Sequence, residues 1–131
     1  MTIDQAIAKT DRLHPNDVDP LVKIAWLESV DKYVHHNVIA VREGGDKAVE
    51  PVYVNMSEGD PTAVSGTTVL TVPAPWDECY VFYMQAQIFY EQREIKKYAS
   101  AMQLYNQSMS EFTARYFHDH RQLSSVRPRF F

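Results

Sequence analysis

From residue 95 to residue 116, large side chains recur at alternating steps of three and four: Ile95, Tyr98, Met102, Tyr105, Met109, Phe112 and Tyr116. That spacing lines all seven along one face of an α-helix and predicts a helix reaching about His118. The stretch before it, Cys79 to Tyr90, is apolar almost all round the cylinder, with Val81, Phe82, Met84, Ile88 and Phe89 on one side and Cys79, Tyr80, Tyr83, Ala86 and Tyr90 extending it. A helix of that kind is buried on nearly every side, in a core or against other subunits. Pro75 suits its first turn, Asp77 and Glu78 lie where the helix dipole favours negative charge, and Arg93-Glu94 allows a tight break before the last helix.

The N-terminal half carries two further helical patterns. Thr2 precedes Gln5 by three residues, a capping-box spacing, and Ile3, Ala6, Ile7 and Leu13 follow near helical intervals until Pro15-Asn16-Asp17 ends them. Asp19-Pro20 restarts a helix with a side-chain acceptor and a proline at the first position. Leu21, Ile24, Ala25, Leu27, Val30, Tyr33, Val34, Val38 and Val41 then give it a wide apolar face. Lys23, Asp31, Lys32 and Arg42 are expected to face solvent, and Gly44-Gly45 to stop the helix after about Glu43.

Residues 44–74 hold all four glycines and three of the seven prolines, with β-prone runs at 51–54 and 67–72. The pair reads as a small β-hairpin or an extended excursion. The expected fold is therefore mainly α, a bundle of about four helices in a single domain over residues 1–120, with the excursion between the second and third helices. Residues 121–131, with Arg121, Arg127, Pro128, Arg129 and the Phe130-Phe131 pair, read as an extended tail.

With 13 basic against 17 acidic side chains, the net charge of -4 argues against a general nucleic-acid binder. One cysteine excludes an internal disulfide, no secretory leader pattern is visible, and no apolar run is long enough to span a bilayer. Synthesis in the cytoplasm is the default expectation.

Catalytic and metal chemistry finds little to stand on. His118-Asp119-His120 offers two imidazoles that point different ways on a helix, and the adjacent His35 and His36 cannot share one face. Asp77 and Glu78 read as helix-start acids, Cys79 as a buried thiol, and the glycines match no phosphate loop. No cofactor, no metal site and no catalytic residue is expected, and the chain does not read as an enzyme. The stripe from Ile95 to Tyr116, rich in Tyr and Met and lying beside a helix apolar on all sides, exceeds what one small domain comfortably covers. Self-association through it is the expectation.

The order of elements adds a resemblance. A helix opening at Leu21-Val22-Lys23-Ile24-Ala25-Trp26-Leu27, a Gly-rich excursion, then Leu70-Thr71-Val72-Pro73-Ala74-Pro75-Trp76-Asp77-Glu78 leading into Tyr80 to Tyr90 and Tyr105-Asn106, is similar to the small head-tail connector proteins of tailed phages and prophages of Gram-positive bacteria. The resemblance covers essentially the whole chain, and its most specific part is the run at 72–78.

It implies a structural virion protein, also called an adaptor or head-completion protein. Such a protein docks as a ring, commonly twelve-fold, below the portal and offers a platform to a stopper or tail-completion protein, with DNA only passing through the channel. Its place would be the head-tail junction of the virion, after assembly in the bacterial cytoplasm, with no membrane involved. On that reading Arg127, Pro128, Arg129, Phe130 and Phe131 form a portal-docking tail, and the segment from Gly45 to Gly66 serves subunit or tail-side contact. The rival reading is a small helical nucleic-acid-binding or regulatory protein using Lys96, Lys97, Arg115 and Arg121.

Overall fold

The computed structural model describes residues 1–42, 51 and 68–120. The described residues fold into four α-helices: α1 (Ile3–Leu13), α2 (Pro20–Val34), α3 (Glu78–Glu91) and α4 (Ile95–Asp119).

Local chemistry sets the helix ends. Thr2 and Gln5 form the reciprocal capping box, the Thr2 hydroxyl accepting from the Gln5 N–H at 3.2 Å and Gln5 Oε1 accepting from the Thr2 N–H at 2.9 Å. After α1, the Asn16 side-chain amide donates to the His14 carbonyl and to Asp11, while its oxygen accepts from the Val18 N–H, and the chain turns. Asp19 caps α2 by accepting from the Leu21 N–H at 2.8 Å, with Pro20 in the first position.

Instead of continuing as a regular α-helix toward Glu43, α2 passes into a π-helical turn, His35–Ile39, followed by a turn at Ala40-Val41. Likewise α3 begins at Glu78 rather than Pro75. Residues 74–77 form a turn with a cis Ala74-Pro75 bond, and Asp77 takes the N-cap position without a side-chain capping bond.

Between α3 and α4, the Arg93 N–H donates to the Tyr90 carbonyl and the Glu94 N–H to the Phe89 carbonyl, the paired bonds of a Schellman stop. Arg93 carries the left-handed conformation this stop requires, at φ 60°.

The helices alternate in direction. Tyr90–Tyr98, Tyr83–Tyr105 and Trp76–Phe112 ring pairs, with centroids 5.4, 5.2 and 6.0 Å apart, run like rungs down an antiparallel α3/α4 hairpin. Lys9 pairs with Glu78 near the start of α3, and His14 meets Phe89 near its end, so α1 runs parallel to α3. Lys23 reaches back to Asp11, and Asp31 meets Tyr80, which sets α2 antiparallel to both. The main core lies between these layers, with Ile3, Leu27, Val30, Val34, Tyr80, Met84, Met109 and Phe112 buried together.

A short extended segment closes the core. The Ile3 N–H donates to the Thr68 carbonyl and the Leu70 N–H to the Met1 carbonyl, giving one antiparallel bridge between Thr2 and Val69. Leu70 and Val72 thereby enter the core. No longer strand occurs among the described residues, and the hairpin expected from 51–54 and 67–72 lies outside them apart from Pro51 and residues 68–72.

Two sequence expectations are corrected. Lys23 and Asp31, expected on the solvent face of α2, are 3% and 0% exposed. Each is drawn inward by a partner outside its own helix, Asp11 for Lys23 and Tyr80 for Asp31. Arg42 also turns back on the fold, its guanidinium 3.7 Å from the centre of the Phe117 ring.

Candidate interaction surfaces

A buried polar network centred on Asp31 and Tyr80 helps to hold the bundle together. Asp31 Oδ1 accepts from the Tyr80 hydroxyl at 2.5 Å, and that hydroxyl accepts from the Val72 N–H at 2.6 Å. Asp31 Oδ2 accepts from the Thr71 N–H at 3.3 Å. The network ties α2, α3 and the extended segment at one point. Burial, then the Asp31 charge and hydrogen bond, push the Tyr80 phenol far above its ordinary range. Cys79 is buried beside it, and burial followed by the Asp31 charge pushes its thiol up to about 12. A thiol so held is protonated at neutral pH and is a poor nucleophile.

The run at 72–78 has a readable structural role. Val72 is buried, Trp76 packs against Phe112, and Glu78 pairs with Lys9 of α1. These residues fix where α3 enters the bundle. Asp77, 3.6 Å from the Met1 amino group, and Glu78 therefore contribute ion pairs at the helix start.

The stripe of α4 is divided between two seams. Met109 and Phe112 are buried, and Tyr105 and Tyr116 are partly buried against the same core. Tyr98 and Met102 pack on the second cluster around Ala86, Phe89 and Ala101. Ile95 alone of the seven is largely exposed, at 62%. Most of the stripe is thus spent within the subunit, and area for a neighbour is left mainly at Ile95 and the partly covered tyrosine edges. Residues 127–131 of the proposed docking tail lie outside the described residues.

Exposed apolar side chains concentrate at the ends of the bundle. Because the helices alternate, the last residues of α1, the first of α2, and the α3/α4 turn share one end, and Leu13, Leu21, Val22, Tyr90 and Ile95 are exposed there. Toward the other end, a groove of about 690 Å³ runs between α2 and α4, lined by Tyr33, Tyr105, Asn106, Met109, Ser110, Thr113, Ala114 and Phe117. Tyr33 and Phe117 were not singled out from sequence as surface groups. The signal was present in the turn-by-turn pairing of α4 residues 106, 110, 113, 114 and 117, which lie on the flank of the stripe.

His35 is buried and His36 exposed, with their rings 5.0 Å apart edge to face. His120 stacks on Tyr116 at 3.8 Å. Among the described residues, no three His, Cys, Asp or Glu side chains converge as a metal-ligand set, and no helix is long and apolar enough to cross a membrane. The cations of the rival nucleic-acid reading do not form one patch. Lys97 pairs with Glu94 and Arg115 with Asp119, and the 19 residues from Lys96 to Arg115 separate them by about 28 Å along α4. Arg121 lies outside the described residues.

No protein-family model, curated protein or solved structure matches the chain.

Proposed function

We propose that this chain is a structural head-tail connector of a tailed phage or prophage of Gram-positive bacteria. It assembles as a ring, twelve-fold in the virion, docks below the portal through its C-terminal tail, and presents a platform to a stopper or tail-completion protein.

The observation that carries the reading is the distribution of apolar surface. Ring contacts are heterologous and need two different faces on each subunit. The bundle offers an end bearing Leu13, Leu21, Val22, Tyr90 and Ile95, and a separate aromatic groove toward the opposite end. The resemblance of residues 70–90 to connector proteins supports the same reading, and the mixed, net acidic charge suits a channel through which DNA slides.

The test is the mass of the complex formed by the purified chain with a portal ring, measured by light scattering. A stoichiometric complex is expected, and deletion of residues 124–131 is expected to abolish it while leaving the helical circular dichroism unchanged. A chain that ignores the portal but shifts duplex DNA at moderate salt would replace this reading with the nucleic-acid one.

A further inference from the structure

Next to His14, just past the end of α1, the α3/α4 hairpin carries a hollow of about 390 Å³ whose apolar base holds the buried Phe89 and Ala101. His14 meets Phe89 edge to face at 4.7 Å, and the exposed Leu104 adds a further apolar wall. Lys96 and Lys97, both exposed, line the same hollow, and among the described residues no acidic side chain does. Lys97 shares its charge with Glu94 at 3.4 Å, whereas Lys96 has no ion-pair partner among the described residues.

The converse surface lies on the turn between α1 and α2. Residues 15–22 contain Asp17 and Asp19 and no basic side chain, and Asp17, Asp19, Leu21 and Val22 are all exposed. We propose that this acidic and apolar turn of one copy docks in the lysine-lined hollow of a second copy, with Leu21 against Phe89 and Leu104 and Asp17 toward Lys96.

Three observations select this occupant. Charge is complementary on the contact surfaces themselves, two carboxylates and no cation on the turn against two ammonium groups and no carboxylate in the hollow. The turn is also shaped before it docks. The Asn16 side chain bonds to Asp11, the His14 carbonyl and the Val18 N–H, Asp19 caps α2, and Pro15 and Pro20 restrict the backbone, so little freedom is lost on association.

Lastly, these charges are not spent on each other within the subunit. The turn and the hollow share one end of the bundle, yet among the described residues neither Asp17 nor Asp19 pairs with Lys96 or Lys97. The inference stands on these two faces and does not depend on the connector reading.

The experiment is sedimentation velocity of the full chain over a concentration series at low and high salt. The parent is expected to gain mass with concentration and to lose it as salt rises, because attraction between exposed charges is screened. Lys96→Glu and Asp17→Lys, both at exposed positions, are each expected to weaken association by about tenfold or more. An equimolar mixture of the two variants is expected to regain association, since the unchanged turn of the first still fits the unchanged hollow of the second. That recovery separates loss of the contact from loss of the fold. A parent at subunit mass throughout the series would overturn the proposal, as would single variants that associate like the parent or a mixture that stays apart. Failure of the connector reading shows separately, as absence of a portal complex with the self-association intact.

Discussion

The phenolic oxygen of Tyr80 lies 2.5 Å from a carboxylate oxygen of Asp31, 49 residues away in the chain, and both side chains are sealed from solvent. The same phenol receives the Val72 N–H. Tyr80→Phe removes a donor from a buried carboxyl group and an acceptor from a buried amide at once. The expected loss is about 3 kcal/mol, since orphaned buried polar groups cost more than the bond between them contributes. Urea denaturation of the two proteins checks it. A loss below about 1 kcal/mol, the level of an ordinary exposed hydrogen bond, would show that the phenol is not a structural lock.

Lys23 and Asp11 allow a sharper comparison. Lys23 Nζ is 2.6 Å from Asp11 Oδ1, and the lysine side chain is 4% exposed against 41% for the aspartate. Removing the aspartate strands a buried ammonium group, whereas replacing the lysine by an apolar chain of similar length does not. Asp11→Ala is expected to cost about 3 kcal/mol and Lys23→Met less than about 1 kcal/mol. Equal losses in thermal unfolding would contradict this asymmetry.

The helical content was legible from short-range chemistry. Thr2 with Gln5, Asp19 with Pro20, and the three-four rhythm from Ile95 to Tyr116 each produced the helix they announce, because caps and periodicity act within one or two turns. Lys23 and Asp31 were misread for the complementary reason. A charged residue on a helix is assigned to solvent unless its partner is known, and here the partners come from other parts of the chain, the loss of hydration being offset only once the bundle has assembled. The π-helical turn at His35–Ile39 had no readable signature. Of the candidate surface, the stripe was visible in sequence, but its division into core and rim depends on where α3 lies, which a one-dimensional pattern does not contain.

Arg93 occupies the left-handed position of the stop between α3 and α4, a conformation in which its Cβ crowds the backbone. Glycine adopts it without that penalty. Arg93→Gly is expected to raise stability by about 1 kcal/mol, measured as an increase in melting temperature with unchanged circular dichroism. A decrease would mean that the Arg93 side chain holds the turn.

Cys79 and Tyr80 make the fold sensitive to alkali. Both lose protons more readily when unfolded than when buried, so the folded chain retains protons that the unfolded chain has released. Their contribution is intact below about pH 9, the ordinary thiol value, and declines as pH rises toward about 12, the value to which burial pushes Cys79. Stability should fall by on the order of 1 kcal/mol per pH unit for each group within that window. Urea midpoints measured from about pH 8 to pH 11 check this, with Cys79→Ala expected to flatten the slope. A midpoint independent of pH would refute the coupling.

The chain is fastened on both sides of the stretch between Arg42 and Thr68. On one side the guanidinium of Arg42 rests on Phe117 of α4; on the other, Thr68 to Val72 is stitched to Met1, Ile3 and Asp31. Both anchor points are tied to residues far away in sequence, so these contacts form only once the helices have come together. They are thus a gauge of tertiary closure, distinct from the capping bonds that each helix can make by itself.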